Sequence, residues 1–178
     1  REGVVSRADH AGEWAVEPRQ PSRLVTGVQV EPDTTRTKDS TLRYWLGVAS
    51  KDHVALGVAD GFCQLCHGKK APLQRMRRGD YILYYSPKQE FRSRRPYQAI
   101  TACGVVTGDV VYQYEMFPGF VPYRRDIEWQ EPIREVPLDI LRTLPGWSEV
   151  APKLRFGHVE LPSELFQAIQ DYMLSDGE

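Results

Sequence analysis

The residues with the most obvious chemical potential lie in the run Cys63-Gln-Leu-Cys66-His67. Its spacing matches the pattern for covalent haem attachment, and Cys-x-x-Cys pairs also occur at redox and metal sites. The run equally fits a β-strand over 62–67, which would direct Cys63 and Cys66 to opposite faces of a sheet. The third cysteine, Cys103, and the other histidines form no second ligand pair for zinc. We therefore expect no cofactor and no metal at this run.

A second group, Ser50, Asp52 and His53, contains the residue types of a hydrolase triad. Their spacing suits the start of a short helix, with Ser50 as its N-cap, better than a triad. No Gly-x-Ser-x-Gly elbow, phosphate-binding loop or dinucleotide fingerprint is present. Carboxylates within 126–131 could pair as acid and base, but no pattern separates them from surface carboxylates. The sequence predicts a non-catalytic protein.

Basic side chains are concentrated in residues 62–95. This segment holds nine Lys or Arg and two acidic residues, although the 178-residue chain has a formal net charge of −1. Aromatic residues are interleaved with the basic ones, and cations that track phosphates beside rings that stack on bases are typical of nucleic-acid binding. A solvated arginine-rich loop explains the arginines equally well. Tyr81 and Tyr84 are expected in the core, because alternate residues of a central strand usually pack inward.

The elements that must position these residues are short strands with few helices. Strand patterns recur at about 8–12-residue spacing from residue 41, and an amphipathic helix follows residue 162. This predicts an α+β fold, a mixed β-barrel of about six strands with short helices at the rim and a C-terminal helix. Residues 1–40 are rich in charge and interrupted by proline. They are predicted to form an N-terminal extension or linker, partly disordered, before a domain at 41–178.

Composition limits the class of protein further. Hydrophobic residues make up 41% and charged residues 26%, as in ordinary globular domains. No apolar run approaches the roughly 20 residues of a membrane span, and no secretory signal is visible. Three cysteines favour a reducing compartment over a disulfide scaffold. We expect a cytoplasmic location and no contact with membranes.

Several blocks of the chain resemble the EVE domain of the small prokaryotic type. The blocks, in order, are Arg43-Tyr-Trp-Leu-Gly-Val-Ala-Ser-Lys-Asp-His53, Gly61-Phe-Cys-Gln-Leu-Cys-His-Gly-Lys69, Gly79-Asp-Tyr-Ile-Leu-Tyr-Tyr-Ser-Pro-Lys88, Tyr97-Gln-Ala-Ile-Thr-Ala-Cys-Gly104, Tyr114-Glu-Met-Phe-Pro-Gly-Phe120, Tyr123-Arg-Arg-Asp-Ile127 and Arg155-Phe-Gly157. The resemblance covers about residues 41–174. It implies a PUA-like β-barrel related to the YTH readers of methylated adenine.

The resemblance also implies a function, a non-catalytic reader that takes a modified base into an aromatic pocket. The base would be of 5-methylcytosine type in DNA, or a modified base in RNA. Expected pocket residues are Ser50, Phe62, Gln64, His67, Gly68, Lys69, Tyr85, Ser86, Pro87, Phe117, Phe120 and Tyr123. Expected contacts to the nucleic-acid backbone are Arg77, Arg78, Arg94, Arg95, Arg124 and Arg125. Any effect of binding would come from a separate effector protein or an upstream part.

Two other classes of function stay open from the residues alone. The same pocket could hold a small ligand such as a nucleoside, as in an enzyme accessory domain. Alternatively, the basic segment could contact an acidic protein partner. The small-ligand alternative predicts binding of free nucleosides with little salt dependence, and the protein alternative predicts no competition by nucleic acid.

Overall fold

The structure is a computed structural model that describes residues 42–176. The extension predicted for residues 1–40 lies outside the described residues. The strands are β1 (Tyr44–Val48), β2 (Phe62–Cys63), β3 (Tyr81–Lys88), β4 (Pro96–Val106), β5 (Tyr112–Gln113), β6 (Tyr123–Trp129), β7 (Val136–Pro137) and β8 (His158–Leu161). The helices are α1 (Lys51–Asp60), α2 (Lys70–Arg75), α3 (Leu138–Leu141), α4 (Trp147–Val150), α5 (Ser163–Leu174) and a 3₁₀ segment (Ala151–Phe156). No helix within 42–176 is long and apolar enough to cross a membrane.

Six strands form one curled sheet in the order β2-β6-β4-β3-β1-β8. β1 and β3 run parallel, with Tyr44 opposite Tyr81 and Val48 opposite Tyr85, whereas the other neighbours in this order are antiparallel. The short strands β5 and β7 pair with β6 and β4. This arrangement confirms the predicted α+β fold class. Because β1 and β3 are parallel, their carboxyl ends lie at the same edge of the sheet.

The core is divided between the two faces of the sheet. Leu46 of β1 belongs to a buried cluster that includes α5, and its neighbour Trp45 belongs to a cluster that includes α2. The predicted C-terminal helix is confirmed, since Leu165, Phe166 and Ile169 bury one face of α5. Each such side chain contributes about 1.5–3 kcal/mol when fully buried. Both faces of β1 and β3 are therefore covered, which leaves the strand ends and the loops for function.

The helix predicted after Ser50 is present as α1. It ends at Gly61, whose φ of 73° is in the left-handed region and whose N–H donates to the carbonyl of Gly57. This helix carries the chain from the carboxyl end of β1 to the start of β2.

The strand predicted over 62–67 is wrong beyond its first two residues. β2 ends at Cys63, and the chain turns so that the N–H groups of Gly68 and Lys69 both donate to the carbonyl of Leu65, at 2.9 and 3.1 Å. Leu65 is 1% exposed and packs over Gly47 of β1. The apolar residues of this run satisfy a strand pattern, but burial of Leu65 over β1 requires a turn instead.

Candidate functional site

The carboxyl end of β1 is flanked by two loops. The N–H of Val48 donates to the carbonyl of Gly157, and the N–H of Asp52 donates to the carbonyl of Gln89, both at 3.0 Å. Ser50, which is buried, lies between these two contacts at the start of α1. The topology thus brings the loop after β3 and the turn before β8 together around Ser50.

The turn after β2 joins these loops through two exposed phenylalanines. The thiol of Cys66 lies 3.6 Å from the carbonyl oxygen of Phe156. The ring of His67 meets the ring of Phe91 edge-on, with 6.3 Å between centroids. Phe91 is 61% and Phe156 is 62% exposed. We call Ser50, residues 66–68, Phe91 and Phe156 the rim.

Each exposed phenylalanine of the rim carries a cation over its ring. Lys88 Nζ lies 5.3 Å from the ring centroid of Phe91, and the Arg155 guanidinium carbon lies 4.8 Å from that of Phe156. Both distances are within the range of cation–π attraction. A planar aromatic ligand with a nearby negative charge would meet a stacking surface and a positive charge at the same place.

The backbone of the turn at 66–68 is held in an unusual conformation. Cys66, His67 and Gly68 have φ of 49°, 59° and 82°, three consecutive residues in the left-handed region. Non-glycine residues are uncommon there, and such strain is concentrated at functional sites. The carbonyl of Gly68 accepts the N–H of Tyr123 at 3.0 Å, which places the start of β6 against the turn. The same turn therefore positions two exposed rings and the β5–β6 hairpin.

The predicted basic surface is largely exposed. Asp80, one of its two acidic residues, is 3% exposed. Its carboxylate accepts the indole N–H of Trp45 at 3.0 Å and the N–H of Arg77 at 2.8 Å. The carboxylate is thus turned inward, where a ligand on the surface would not contact it. The exposed basic residues of this segment are Lys69, Lys70, Arg75, Arg77, Arg78, Arg92, Arg94 and Arg95.

A groove is lined in part by this positive surface. It lies between α2 with the residues that follow it and the connection before β5. Its lining residues are Lys70, Gln74, Met76, Arg77, Arg78, Asp109, Val110, Val111 and Arg125. Arg78 faces Asp109 at 3.4 Å, and both side chains are about 70% exposed, so this ion pair contributes little stability.

A second groove lies between α1 and β4 and is lined by Lys51, Val54, Ala55, Val58, Ala59, Thr101 and Glu131.

Three predicted site residues form a buried stack beneath the hairpin. The guanidinium carbon of Arg124 lies 3.7 Å from the ring centroid of Phe62 and 4.2 Å from that of Tyr114. Arg124 Nε donates to the side-chain carbonyl of Gln64 at 3.2 Å. Phe62, Gln64 and Arg124 are each no more than 6% exposed. They support the hairpin from inside, and a direct contact to a ligand would require them to leave these partners.

Arg125 is likewise buried. Its guanidinium donates to the carbonyls of Leu73 at 2.9 Å, Met76 at 2.6 Å and Gly108 at 2.9 Å. Burial lowers the pKa of this guanidinium, against the opposing charges of Asp80 and Asp109. The side chain ties α2 to the turn before β5, an arrangement that leaves the predicted phosphate contact to its exposed neighbours.

Three predicted pocket residues of β3 lie inward or along the strand. Tyr85 is 6% exposed and packs against Trp147, with 5.8 Å between ring centroids. Ser86 is fully buried, and its hydroxyl bonds to that of Thr101 at 2.7 Å. Pro87 is half-buried. None of these three residues belongs to the rim.

The remaining predicted residues are placed around the rim or along the hairpin. His67 and Lys69 are exposed, and Tyr123 is half-buried with Lys70 Nζ 5.6 Å from its ring centroid. Phe117 and Phe120 stack on each other at the hairpin tip. Two residues of the rim, Phe91 and Phe156, were not assigned to the site from the sequence. The sequence feature that could have identified them is an aromatic residue next to an arginine in a polar segment, as in Phe91-Arg92 and Arg155-Phe156.

The residues that suggested other chemistry are arranged unfavourably for it. Burial raises the pKa of the Cys63 thiol to about 12 and also raises that of Cys66, so both stay protonated at neutral pH. The Ser50 hydroxyl donates to the Asp52 carboxylate and not to His53, whose own pKa is lowered by burial. Within residues 42–176, no three His, Cys, Asp or Glu side chains cluster as metal ligands would.

Comparison with known proteins gives one family and several relatives. The model of the EVE domain family matches residues 43–172. A UPF0310 protein of Helicobacter hepaticus is 53% identical over 135 residues, which are 76% of this chain and 99% of the relative. A UPF0310 protein of Streptococcus sanguinis is 48% identical over 75% of this chain and 95% of its own length. These names state no activity.

Solved structures are similar in fold at low sequence identity. A protein from Rhodopseudomonas palustris, solved by NMR, has a TM-score of 0.52 and 19% identity, and the match covers 76% of this chain and 97% of that protein. A crystal structure of a Pseudomonas syringae protein has a TM-score of 0.50 and 15% identity, over 71% and 97% of the two chains. Together with the sheet topology, these likenesses support the expected PUA-like fold.

Proposed function

Because the chain belongs to the EVE domain family, we propose that it binds a modified base of a nucleic acid at the rim. The family and the fold support a nucleic-acid- or ligand-binding domain. The finer proposal is a reader of a 5-methylcytosine-type base in DNA or of a modified base in RNA. The observation that carries it is the pairing, made twice, of an exposed phenylalanine with a cation around one strained turn.

The proposed chemistry divides binding into two contributions. Stacking on Phe91 or Phe156 would be worth about 1–3 kcal/mol per base. The exposed lysines and arginines beyond the rim would contact phosphates, and this contribution would fall with increasing salt. A methyl group that fills an apolar gap adds about 1–3 kcal/mol. We therefore expect modest discrimination between modified and unmodified bases, about 10–200-fold.

In this proposal the chain is a reader and performs no reaction on the base. It uses no cofactor, and a separate effector protein would convert binding into an outcome. Phosphate contacts are assigned to the exposed members of the predicted set, which are Arg77, Arg78, Arg94 and Arg95.

Replacement of Phe91 or Phe156 by Ala is expected to weaken binding of a modified oligonucleotide about tenfold, because each change removes one stacking surface. The preference for the modified base should also fall, whereas the salt dependence should stay the same, because no charge is lost. The measurement is fluorescence polarisation of labelled DNA and RNA, with and without 5-methylcytosine or N6-methyladenine, at two salt concentrations. Leu174→Ala, which removes another exposed apolar side chain from α5, is the matched control.

Unchanged affinity and preference in both phenylalanine variants would reject the rim as the site. Weak binding of every oligonucleotide that disappears at higher salt would leave only a basic surface, and would favour the small-ligand and protein-partner alternatives. Free nucleosides and an acidic peptide then serve as the next probes.

A further inference from the structure

The β5–β6 hairpin is a preformed projection beside the rim. Its strands pair Tyr112 with Arg124 and Gln113 with Tyr123, and the ladder continues with Met116 N–H donating to the Phe120 carbonyl at 3.0 Å. At the tip, the N–H of Phe120 donates to the carbonyl of Phe117 at 2.9 Å. The intervening Pro118-Gly119, with φ of 87° at Gly119, has the sequence and backbone of a type II turn.

The tip presents aromatic rings to solvent. Phe117 is 50% exposed and stacks on Phe120, with 5.0 Å between centroids and 24° between ring planes. Val121, next along the chain, is 44% exposed. Apolar surface held in water in this way is unfavourable and marks an interaction site when several such residues adjoin.

The hairpin is anchored to the body of the domain. Tyr114 packs on the buried guanidinium of Arg124, which in turn packs on Phe62. The hydroxyl of Tyr112 donates to the Asp126 carboxylate at 2.8 Å. These contacts fix the direction of the tip before any partner binds, which reduces the entropic cost of binding.

The surroundings of the hairpin indicate a polyanionic partner. Its base contacts Gly68 of the rim, and the adjacent Lys69 and Lys70 are exposed. Phe120 is three positions before Tyr123, and three residues of chain span at most about 10 Å, so the tip lies within about 10 Å of Tyr123. One ligand could therefore contact the rim, these two lysines and the tip at the same time.

We propose that this hairpin is a wedge, which inserts Phe117 and Phe120 into the base stack of duplex DNA next to the base held by the rim. The proposal rests on the proposed function. A base must be unstacked before it can leave a duplex, and apolar side chains inserted between base steps unstack and kink the duplex in other proteins. The major groove of B-form DNA admits a two-stranded β-ribbon, whereas the deep, narrow major groove of A-form RNA does not. The ribbon therefore fits duplex DNA.

The test compares the Phe117→Ala/Phe120→Ala variant with the wild-type chain on matched oligonucleotides. One strand containing 5-methylcytosine is used alone, in a DNA duplex, and in a duplex with an abasic site opposite the modified base. 2-Aminopurine beside the modified base reports unstacking by its fluorescence. The affinity of the double variant for the intact duplex should fall at least tenfold, and the increase in 2-aminopurine fluorescence should disappear. Its affinity for the single strand should stay within about twofold of the wild-type value. The abasic duplex should restore its binding, because the modified base has no pairing partner there and less energy is needed to displace it.

The controls separate this proposal from the proposed function. Leu174→Ala should behave as wild type throughout, and thermal unfolding should show that the double variant is folded. Two outcomes would overturn the wedge and leave the reader standing, provided that the wild-type chain binds the modified strand. In the first, the double variant binds both duplex and single strand as tightly as the wild-type chain does. In the second, its affinities for duplex and for single strand fall by the same factor. Equal binding of duplex RNA by the wild-type chain would likewise overturn it. Absence of any nucleic-acid binding by the wild-type chain would overturn both.

Discussion

Replacement of Gly68 by Ala is expected to lower the free energy of unfolding by about 3 kcal/mol, through backbone strain and overpacking together. Gly68 has φ of 82°, a conformation that is unfavourable for alanine. A Cβ at this position would lie 2.3 Å from the Cβ and 2.9 Å from the Cα of Pro122, which is buried. Because one of these atoms belongs to the backbone, relief requires the turn and the start of the hairpin to separate.

Gly119→Ala is the matched control for this prediction. Gly119 has φ of 87°, but nothing lies within 4 Å of a Cβ there. The free energy of unfolding of Gly119→Ala should therefore fall only by the cost of the left-handed backbone conformation, about 1 kcal/mol. Equilibrium unfolding in urea measures both values, and the difference between them isolates the packing cost at Pro122. Equal losses in the two variants would show that the contact at Gly68 relaxes without cost.

Acid is expected to destabilise the protein by about 3 kcal/mol through His158, as the pH falls from 6.5 to 4. His158 is 4% exposed, its ring stacks on Trp45 with 4.7 Å between centroids, and neither ring nitrogen has a hydrogen-bond partner. Burial, and to a smaller extent the positive charge of Arg75, lowers the pKa of His158 to about 4. The unfolded chain, with an ordinary pKa near 6.5, therefore takes up this proton first. The stability that depends on neutral His158 is fully present above pH 6.5 and decreases as the pH falls. Below pH 4 this loss levels off, because the histidine is then protonated in both the folded and the unfolded chain.

His158→Phe tests this prediction, because it keeps a ring against Trp45 and removes the titrating group. At pH 7.5 the variant should be as stable as wild type or more stable, since two buried unpaired nitrogens are removed. At pH 5 its loss of stability should be smaller than that of wild type, and the difference should grow by up to about 1.4 kcal/mol per pH unit. His53, whose pKa burial also lowers, would account for part of the acid sensitivity that persists. Parallel pH profiles for variant and wild type would show that His158 does not titrate abnormally.

The two predictions concern different parts of the architecture. Gly68 belongs to the turn that positions the rim and the hairpin, so its replacement should weaken nucleic-acid binding as well as stability. His158 lies on β8, opposite Gly47 of β1. A loss of binding in Gly68→Ala that is absent in Leu174→Ala, at a temperature where both variants are folded, would agree with a site at the turn.

The sequence by itself determined the family, the fold class and the elements with local signals. α1 begins after Ser50 and ends at Gly61 as predicted, and the left-handed glycine is a signal that acts over a few residues. The expected cap is not formed, because the Ser50 hydroxyl donates to the Asp52 carboxylate and caps no backbone N–H. The amphipathic period of the C-terminal helix identified the buried face of α5. The exposed basic segment was also predictable, because an uncompensated run of cations has little place except the surface.

Only the tertiary structure decided which residues are available to a ligand. The run after Phe62 satisfies a strand pattern, but burial of Leu65 over Gly47 turns the chain and exposes His67. Arg124 resembles the exposed arginines in sequence, yet it is buried between Phe62 and Tyr114. Phe91 and Phe156, far apart in sequence, meet the same turn because β1 lies next to both β3 and β8. Burial and proximity of this kind depend on contacts between distant segments, and no local pattern of residues encodes them.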